Sequence, residues 1–158
     1  MVRYAATILV ACLLLQGVAR AEPRIDVPDS AQAAAATVDR FFAALSAGNI
    51  DAAALELDAD VIILESGGAE HSAAEYLGGH AGYDAEFLGT ARQSLGRRTA
   101  RANGDLAWVA TESELQAQQD GKPQTIASTE TMVLRSTEAG WKIVHIHWSS
   151  RTRRPQEN

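Results

Sequence analysis

Apolar residues recur at helical spacing in the alanine-rich segment that starts at Asp29. The positions that repeat every three or four residues are Val38, Phe41, Phe42 and Leu45. This period predicts an amphipathic helix with one buried face. Asp29 or Ser30 supplies its N-cap, and Gly48 supplies its stop.

Two further helical segments and one strand follow in the first half of the chain. Asn49 is placed to cap a short second helix. Ser72 with Glu75 forms a capping box that opens a third helical region, which runs toward His80 and, after interruptions at Gly78-Gly79 and Gly82, continues to Leu88. Residues 61–64 form a continuous β-branched and apolar run between them. This run indicates a buried strand, which the Ser-Gly-Gly sequence at 66–68 turns back.

The second half of the chain changes to the alternating period of β-strands. Four strand-like stretches cover residues 93–102, 106–118, 124–136 and 141–149, and glycine-containing turns separate them. Helices followed by an antiparallel meander predict an α+β domain whose helices cover one face of a curved sheet.

The first 21 residues have the pattern of a secretory signal peptide. Arg3 gives a positive start, residues 5–15 are apolar, and residues 19–21 form a small-x-small cleavage motif. We therefore expect a signal at 1–21, a domain at 22–150, a disordered basic tail at 151–158, and a periplasmic or secreted location. The alternative is a lipoprotein in which Cys12 carries the lipid, since Leu9 to Cys12 resembles a lipobox.

Charge and cysteine content limit the partners of the mature chain. The sequence has 14 basic and 20 acidic residues. Removal of Arg3 and Arg20 leaves 12 basic residues, so the net charge changes from −6 to −8. An acidic protein of this kind is not expected to bind nucleic acid. The one cysteine lies in the predicted signal, and no later apolar run approaches the roughly 20 residues that cross a bilayer. We therefore expect no integral membrane segment in the mature chain.

Two segments carry a resemblance to a known superfamily. The helix at 38–51 and the closing strand at 140–149, with its Trp-Lys-Ile-Val-His-Ile-His-Trp sequence, resemble the nuclear transport factor 2-like (NTF2-like) superfamily, in its SnoaL-like and DUF4440-like branch. The resemblance implies a cone-shaped α+β fold with a pocket between helices and sheet. It also implies a homodimer, a small and partly apolar organic ligand, and chemistry of the isomerase or cyclase type.

The resemblance also implies positions for site residues. Glu65 occupies the place of the general-base carboxylate of ketosteroid isomerases, whereas Phe41 stands where that family has a tyrosine that donates a hydrogen bond. The other implied positions are Trp148 inside the pocket, His80 at its mouth, and Glu130 with Met132 on the inward face of the preceding strand. Asp84 lies one helical turn after His80. In the alternative interpretation, Glu65 only caps the turn or pairs with Arg98 or Arg101.

Alternation along the last strand separates a pocket site from a metal site. Strict alternation places Trp141, Ile143, His145, His147 and Ser149 on one face, and Val144, Ile146, Trp148 and Ser150 on the other. His145 and His147 could bind zinc or copper with Glu65, His80 or Asp84. Otherwise no cofactor is expected. A third alternative is a noncatalytic dimerisation domain.

Overall fold

Four helices pack on one face of a curved sheet in the part of the chain that the computed structural model describes, residues 22–119 and 121–153. The helices are α1 Asp29–Ser46, α2 Ile50–Ala54, α3 Ala73–Gly78 and α4 Ala81–Thr90. The strands are β1 Arg24–Asp26, β2 Leu57–Glu65, β3 Gly68–Glu70, β4 Arg92–Asn103, β5 Leu106–Gln119, β6 Lys122–Thr137 and β7 Gly140–Thr152. The predicted signal peptide, and Cys12 within it, lie outside the described residues.

The sheet order is β1-β4-β5-β6-β7-β2-β3. Strands β4 to β7 form the predicted antiparallel meander. Strand β2 joins its edge parallel to β7, and β1 joins the opposite side parallel to β4, so the sheet is mixed. The α+β cone is confirmed, and the short edge strands β1 and β3 are additions that the sequence pattern did not predict.

Local capping explains where the helices begin and end. Helix α1 begins at Asp29 with Pro28 as its N-cap, so the prediction of Asp29 or Ser30 in that role was wrong. Proline suits this position because its extended backbone leads into the helix and its carbonyl accepts from a later amide. Gly48 follows the last turn with φ +69°, and the Asn49 side chain accepts from the α2 backbone as predicted.

The third helical region is divided in two at residues 79–80. Helix α3 ends at Gly78, and His80 is the N-cap residue of α4. Ser72 accepts a hydrogen bond from the amide of Glu75, which confirms the capping box. The division turns the chain at His80, and so places its imidazole beside the end of β2.

The core lies between α1 and the inner face of the sheet. Val38, Phe41 and Leu45 of α1 are fully buried together with Met132 and Ile146 of the sheet. Burial of each such side chain contributes about 1.5–3 kcal/mol to stability. The apolar period of α1 therefore attaches this helix to the sheet and forms the inner wall of the cone.

A β-bulge in β7 changes the predicted phase of the last strand. Val133 of β6 pairs with His145, but Leu134 pairs with Ile143, so Val144 is an extra residue without its own partner. An extra residue reverses the alternation on one side of the bulge. Ile143 is consequently buried on the same face as Trp148, and its predicted placement with His145 was wrong.

Strand β7 is longer than predicted. Thr152 pairs with Ile126, and the Arg153 amide donates to the carbonyl of Thr125 at 2.7 Å. The predicted tail therefore does not start at Arg151, because β6 is long enough to pair with these residues. Residues 154–158 lie outside the described part. Among the described residues, no helix is long and apolar enough to span a membrane.

Candidate functional site

A cavity of about 100 Å³ opens between the helices and the inner face of the sheet. Its apolar wall consists of Phe42, Phe87, Leu88, Leu115, Ile126 and Trp148. Three carboxylates, from Glu65, Asp84 and Glu130, also line it. Among the described residues no lysine or arginine contributes to this wall. The cavity is therefore mostly apolar, and its polar positions include three acidic groups. It lies where the pocket was predicted, between the helices and the sheet.

Strand pairing places the polar residues of the site in one row across the sheet. Arg98 pairs with Thr111, Thr111 with Glu130, Glu130 with Trp148, and Trp148 with Glu65. Side chains directly opposite each other in neighbouring strands lie on the same face. The pocket carboxylates of β2 and β6 therefore flank Trp148 on both sides.

Glu130 is the most deeply buried acidic group of the site, with 8% of its surface exposed. Its Oε2 accepts a hydrogen bond from Trp148 Nε1 at 3.3 Å, whereas its Oε1 has no hydrogen-bond partner among the described residues. Burial raises the pKa of Glu130 to about 7, against the opposing effects of the Thr111 hydroxyl, the Trp148 indole and the charge of Arg98.

The arginines near the site have other partners than Glu65. Arg98 pairs with Asp39 of α1 and donates from Nε to the Thr111 hydroxyl. Arg101 pairs with Asp26 at 2.8 Å. The interpretation of Glu65 as a structural partner of Arg98 or Arg101 is therefore wrong. The side-chain Oε2 of Glu65 is buried and has no hydrogen-bond partner among the described residues.

His80 lies at the centre of a second group of carboxylates. Its Nδ1 is 3.2 Å from Glu70 Oε1, and its Nε2 is 3.9 Å from Glu65 Oε2 and 3.7 Å from Asp84 Oδ1. Asp84 Oδ2 accepts a hydrogen bond from the hydroxyl of Tyr76 at 2.8 Å. This group joins β2, β3, α3 and α4 at the pocket wall.

Burial and the charges of neighbouring groups shift the pKa values of Glu65, His80 and Asp84. Burial raises the pKa of Glu65, and the charges of Asp84 and Glu70 raise it further, against the opposing charge of His80. Burial also raises the pKa of Asp84, although the Tyr76 hydroxyl and His80 lower it. Burial lowers the pKa of His80, but the surrounding carboxylates outweigh burial and the net shift is upward. The pocket wall therefore shifts Glu65 and Asp84 toward their protonated forms and His80 toward its charged form.

One set of side chains in the described residues could hold a divalent cation. A donor atom from each of Glu65, His80 and Asp84 lies within 4.8 Å of the others. His145 and His147 do not join it, because His145 Nδ1 lies 2.9 Å from the carbonyl oxygen of Ile62 and His147 is exposed on the opposite face. The metal site predicted from these two histidines is therefore not formed in the described part of the chain.

The structure brings most of the predicted ligand-binding residues together. Glu65, Asp84, Glu130 and Trp148 line the cavity, and His80 contacts the first two of them. Met132 is different, because it faces inward but is fully buried in the core and does not line the cavity.

Several partners of these residues were not predicted from the sequence. Tyr76 holds Asp84, Glu70 contacts His80, and Thr111 lies between Arg98 and Glu130. His80 and Asp84 are spaced one helical turn apart, which is a local signal, whereas Tyr76 lies on α3 and reaches Asp84 of α4 only because the two helices pack together. Glu70 and Thr111 carry no such local signal, since strand pairing alone places them.

Residues 34–152 match the family model of the SnoaL-like domain. The chain therefore belongs to the SnoaL-like domain family, within the NTF2-like superfamily. No protein of curated function matches the chain.

Solved structures agree with this assignment. A candidate ketosteroid isomerase from Shewanella frigidimarina NCIMB 400 is 31% identical with a TM-score of 0.71, covering 80% of this chain and 99% of that chain. The CaMKII hub of S. rosetta is 23% identical with a TM-score of 0.63, covering 76% and 95%. An NTF2-like protein from Novosphingobium aromaticivorans is 17% identical with a TM-score of 0.64, covering 76% and 80%. The last two similarities concern the fold alone.

Proposed function

We propose that this SnoaL-like domain binds a small, partly apolar organic molecule in its cone pocket, with Glu65 accepting a proton from the bound molecule. The observation that carries the proposal is a pair of buried carboxylate oxygens without hydrogen-bond partners, Glu65 Oε2 and Glu130 Oε1, in the wall of one apolar cavity. Buried polar atoms without partners are costly, and a ligand that contacts them offsets this cost.

The surroundings of Glu65 suit a proton acceptor. It ends β2 at the cavity wall, and His80 lies near enough to stabilise a change in its charge. Phe41, at the position of the hydrogen-bonding tyrosine of ketosteroid isomerases, is fully buried against Trp148 and has no hydroxyl group. Similarity to the candidate isomerase from Shewanella supports chemistry of this type.

Exchange of carbon-bound protons tests this proposal directly. β-Tetralone, a cyclic ketone with acidic protons beside its carbonyl, is incubated with the protein in deuterium oxide containing a chelator, and nuclear magnetic resonance follows deuterium uptake. We expect the wild-type protein to accelerate exchange and Glu65→Gln to lose about a hundredfold of that acceleration, since the amide cannot accept the proton. Glu86→Gln, at an exposed position of α4, is the matched control. Equal rates for wild type and Glu65→Gln would refute the role of Glu65.

We also propose that the chain is exported and cleaved after Ala21, and that the mature protein forms a homodimer. Trp108 is 39% exposed and Ile62 is 42% exposed on the sheet face opposite the helices, and a second copy would cover this apolar area. Native mass spectrometry of protein recovered from the periplasm or medium is expected to give a dimer of chains that start at Glu22. A monomer at all concentrations contradicts the dimer, and a lipidated chain that starts at Cys12 contradicts the cleavage site.

A further inference from the structure

The acidic lining of the pocket gives it a preference for charge. Glu65, Asp84 and Glu130 line one cavity, to which the described residues contribute no lysine or arginine. The His80 imidazole lies beside Glu65 and Asp84, at 3.9 and 3.7 Å, whereas the described residues place no imidazole against Glu130. The nearest guanidinium, that of Arg98, is already paired with Asp39. Carboxylates around a space of low dielectric constant favour a cationic occupant over an anionic one.

Glu130 is the polar group to which such an occupant would bind. More than nine-tenths of its surface is buried, one oxygen accepts from Trp148, and the other has no partner among the described residues. The free oxygen needs a hydrogen-bond donor, and a buried carboxylate also needs a compensating charge. An ammonium group supplies both, because it carries a positive charge and up to three N–H donors.

Aromatic rings line the same cavity as this carboxylate. Trp148 lies directly beside Glu130 in the neighbouring strand, and Phe42 and Phe87 belong to the same cavity wall. Ring faces attract ammonium ions through their negative electrostatic potential, most strongly for tryptophan. The carboxylate of Glu130 therefore fits the head of an organic amine, and the aromatic rings of the cavity wall fit its apolar body.

We propose that the cone pocket takes a small organic amine in its ammonium form, with the nitrogen at the unpaired Oε1 of Glu130 and the apolar part against Phe42 and Phe87. The inference rests on the proposed function only in that the pocket is a ligand site. It adds the chemical class of the ligand, and it leaves Glu65 free to act on the far end of the molecule.

The position of Glu130 couples this binding to pH. The charged groups near it are Arg98 and Asp39 on one side, and Glu65 and Asp84 with their neighbour His80 on the other side of the pocket. An ammonium ion binds the ionised carboxylate, whose pKa is about 7 in the free protein. The affinity for an ammonium ion is therefore expected to increase as the pH rises through this value. The affinity for an uncharged ligand is expected to stay constant over the same range.

A pair of isosteric probes separates charge from shape. Benzylammonium and benzyl alcohol have the same number of heavy atoms and the same ring, and calorimetry with a chelator present measures their affinities at about pH 8. We expect benzylammonium to bind wild-type protein about tenfold more tightly, which corresponds to one charge-assisted hydrogen bond of about 1.4 kcal/mol. Glu130→Gln should reduce the difference to less than about twofold, because the carboxamide has no charge. Glu86→Gln should keep it.

Three outcomes would overturn the inference. If benzyl alcohol binds as tightly as benzylammonium, the pocket is a ligand site but not an amine site. If Glu130→Gln keeps the tenfold preference while its thermal melt shows a folded protein, the ammonium group lies elsewhere. If neither probe binds at millimolar concentration, the amine assignment is wrong. The exchange experiment on Glu65 then decides separately whether the proposed function also fails.

Discussion

Replacing Glu130 with glutamine is expected to stabilise the protein at neutral and alkaline pH. The pKa of Glu130 is raised from 4.5 in the unfolded chain to about 7 in the fold. Below pH 4.5 both states carry the proton. As the pH rises toward 7 the unfolded chain releases it first, so the free energy of unfolding decreases. The full loss is about 3 kcal/mol, since each pKa unit corresponds to about 1.36 kcal/mol.

The variant Glu130→Gln removes this loss because its amide does not ionise. The difference in the free energy of unfolding between variant and wild type should grow from near zero at acidic pH to about 3 kcal/mol above pH 7. In a thermal melt at about pH 8 this corresponds to a rise on the order of 10 °C. Other titrating groups cancel, since both proteins share them.

Urea unfolding at a series of pH values measures this difference. Glu86→Gln removes an exposed carboxylate of α4 and is expected to follow wild type throughout. Parallel curves for wild type and Glu130→Gln would show that Glu130 remains ionised in the fold without cost. In that case burial would not disfavour the ionised form of Glu130, and the role of Glu130 in the pocket would need another explanation.

Truncation of Trp148 is expected to cause the largest loss of stability. Its ring lies 6.4 Å from the rings of Phe41 and Phe42 and 6.1 Å from that of Tyr76, and its indole N–H donates to Glu130. Trp148→Ala leaves a cavity among these rings, and large aromatic truncations in cores cost about 3–5 kcal/mol. The alanine variant should also lose binding of any pocket ligand.

Trp148→Phe separates packing from hydrogen bonding. Phenylalanine keeps most of the ring contacts but removes the donor, and an unsatisfied buried acceptor costs about 1–3 kcal/mol. Because the indole N–H lowers the pKa of Glu130, its removal should also move the titration of Glu130 upward. Urea unfolding of the two variants measures both effects. If Trp148→Ala and Trp148→Phe lower the free energy of unfolding by the same amount, the hydrogen bond and not ring packing accounts for the contribution of Trp148.

The sequence by itself determined the type and order of most elements, because these depend on interactions within a few residues. The apolar period of α1, the Asn49 and Ser72 caps, and the alternation in the last four strands all act locally. The resemblance to the superfamily, and not local information, predicted Glu65, Glu130 and Trp148 in the pocket, and all three line the cavity.

Only the tertiary structure decided which groups meet and what they do to one another. The bulge at Val144 changes which residues of β7 face the core, and pairing with β6 forms it at a point that no local period marks. The glycines at 78 and 79 predict the break before His80, but only the packing of the chain brings its imidazole to Glu70 and Glu65. Burial then raises the pKa of Glu130, because the depth of a carboxylate depends on every element packed above it.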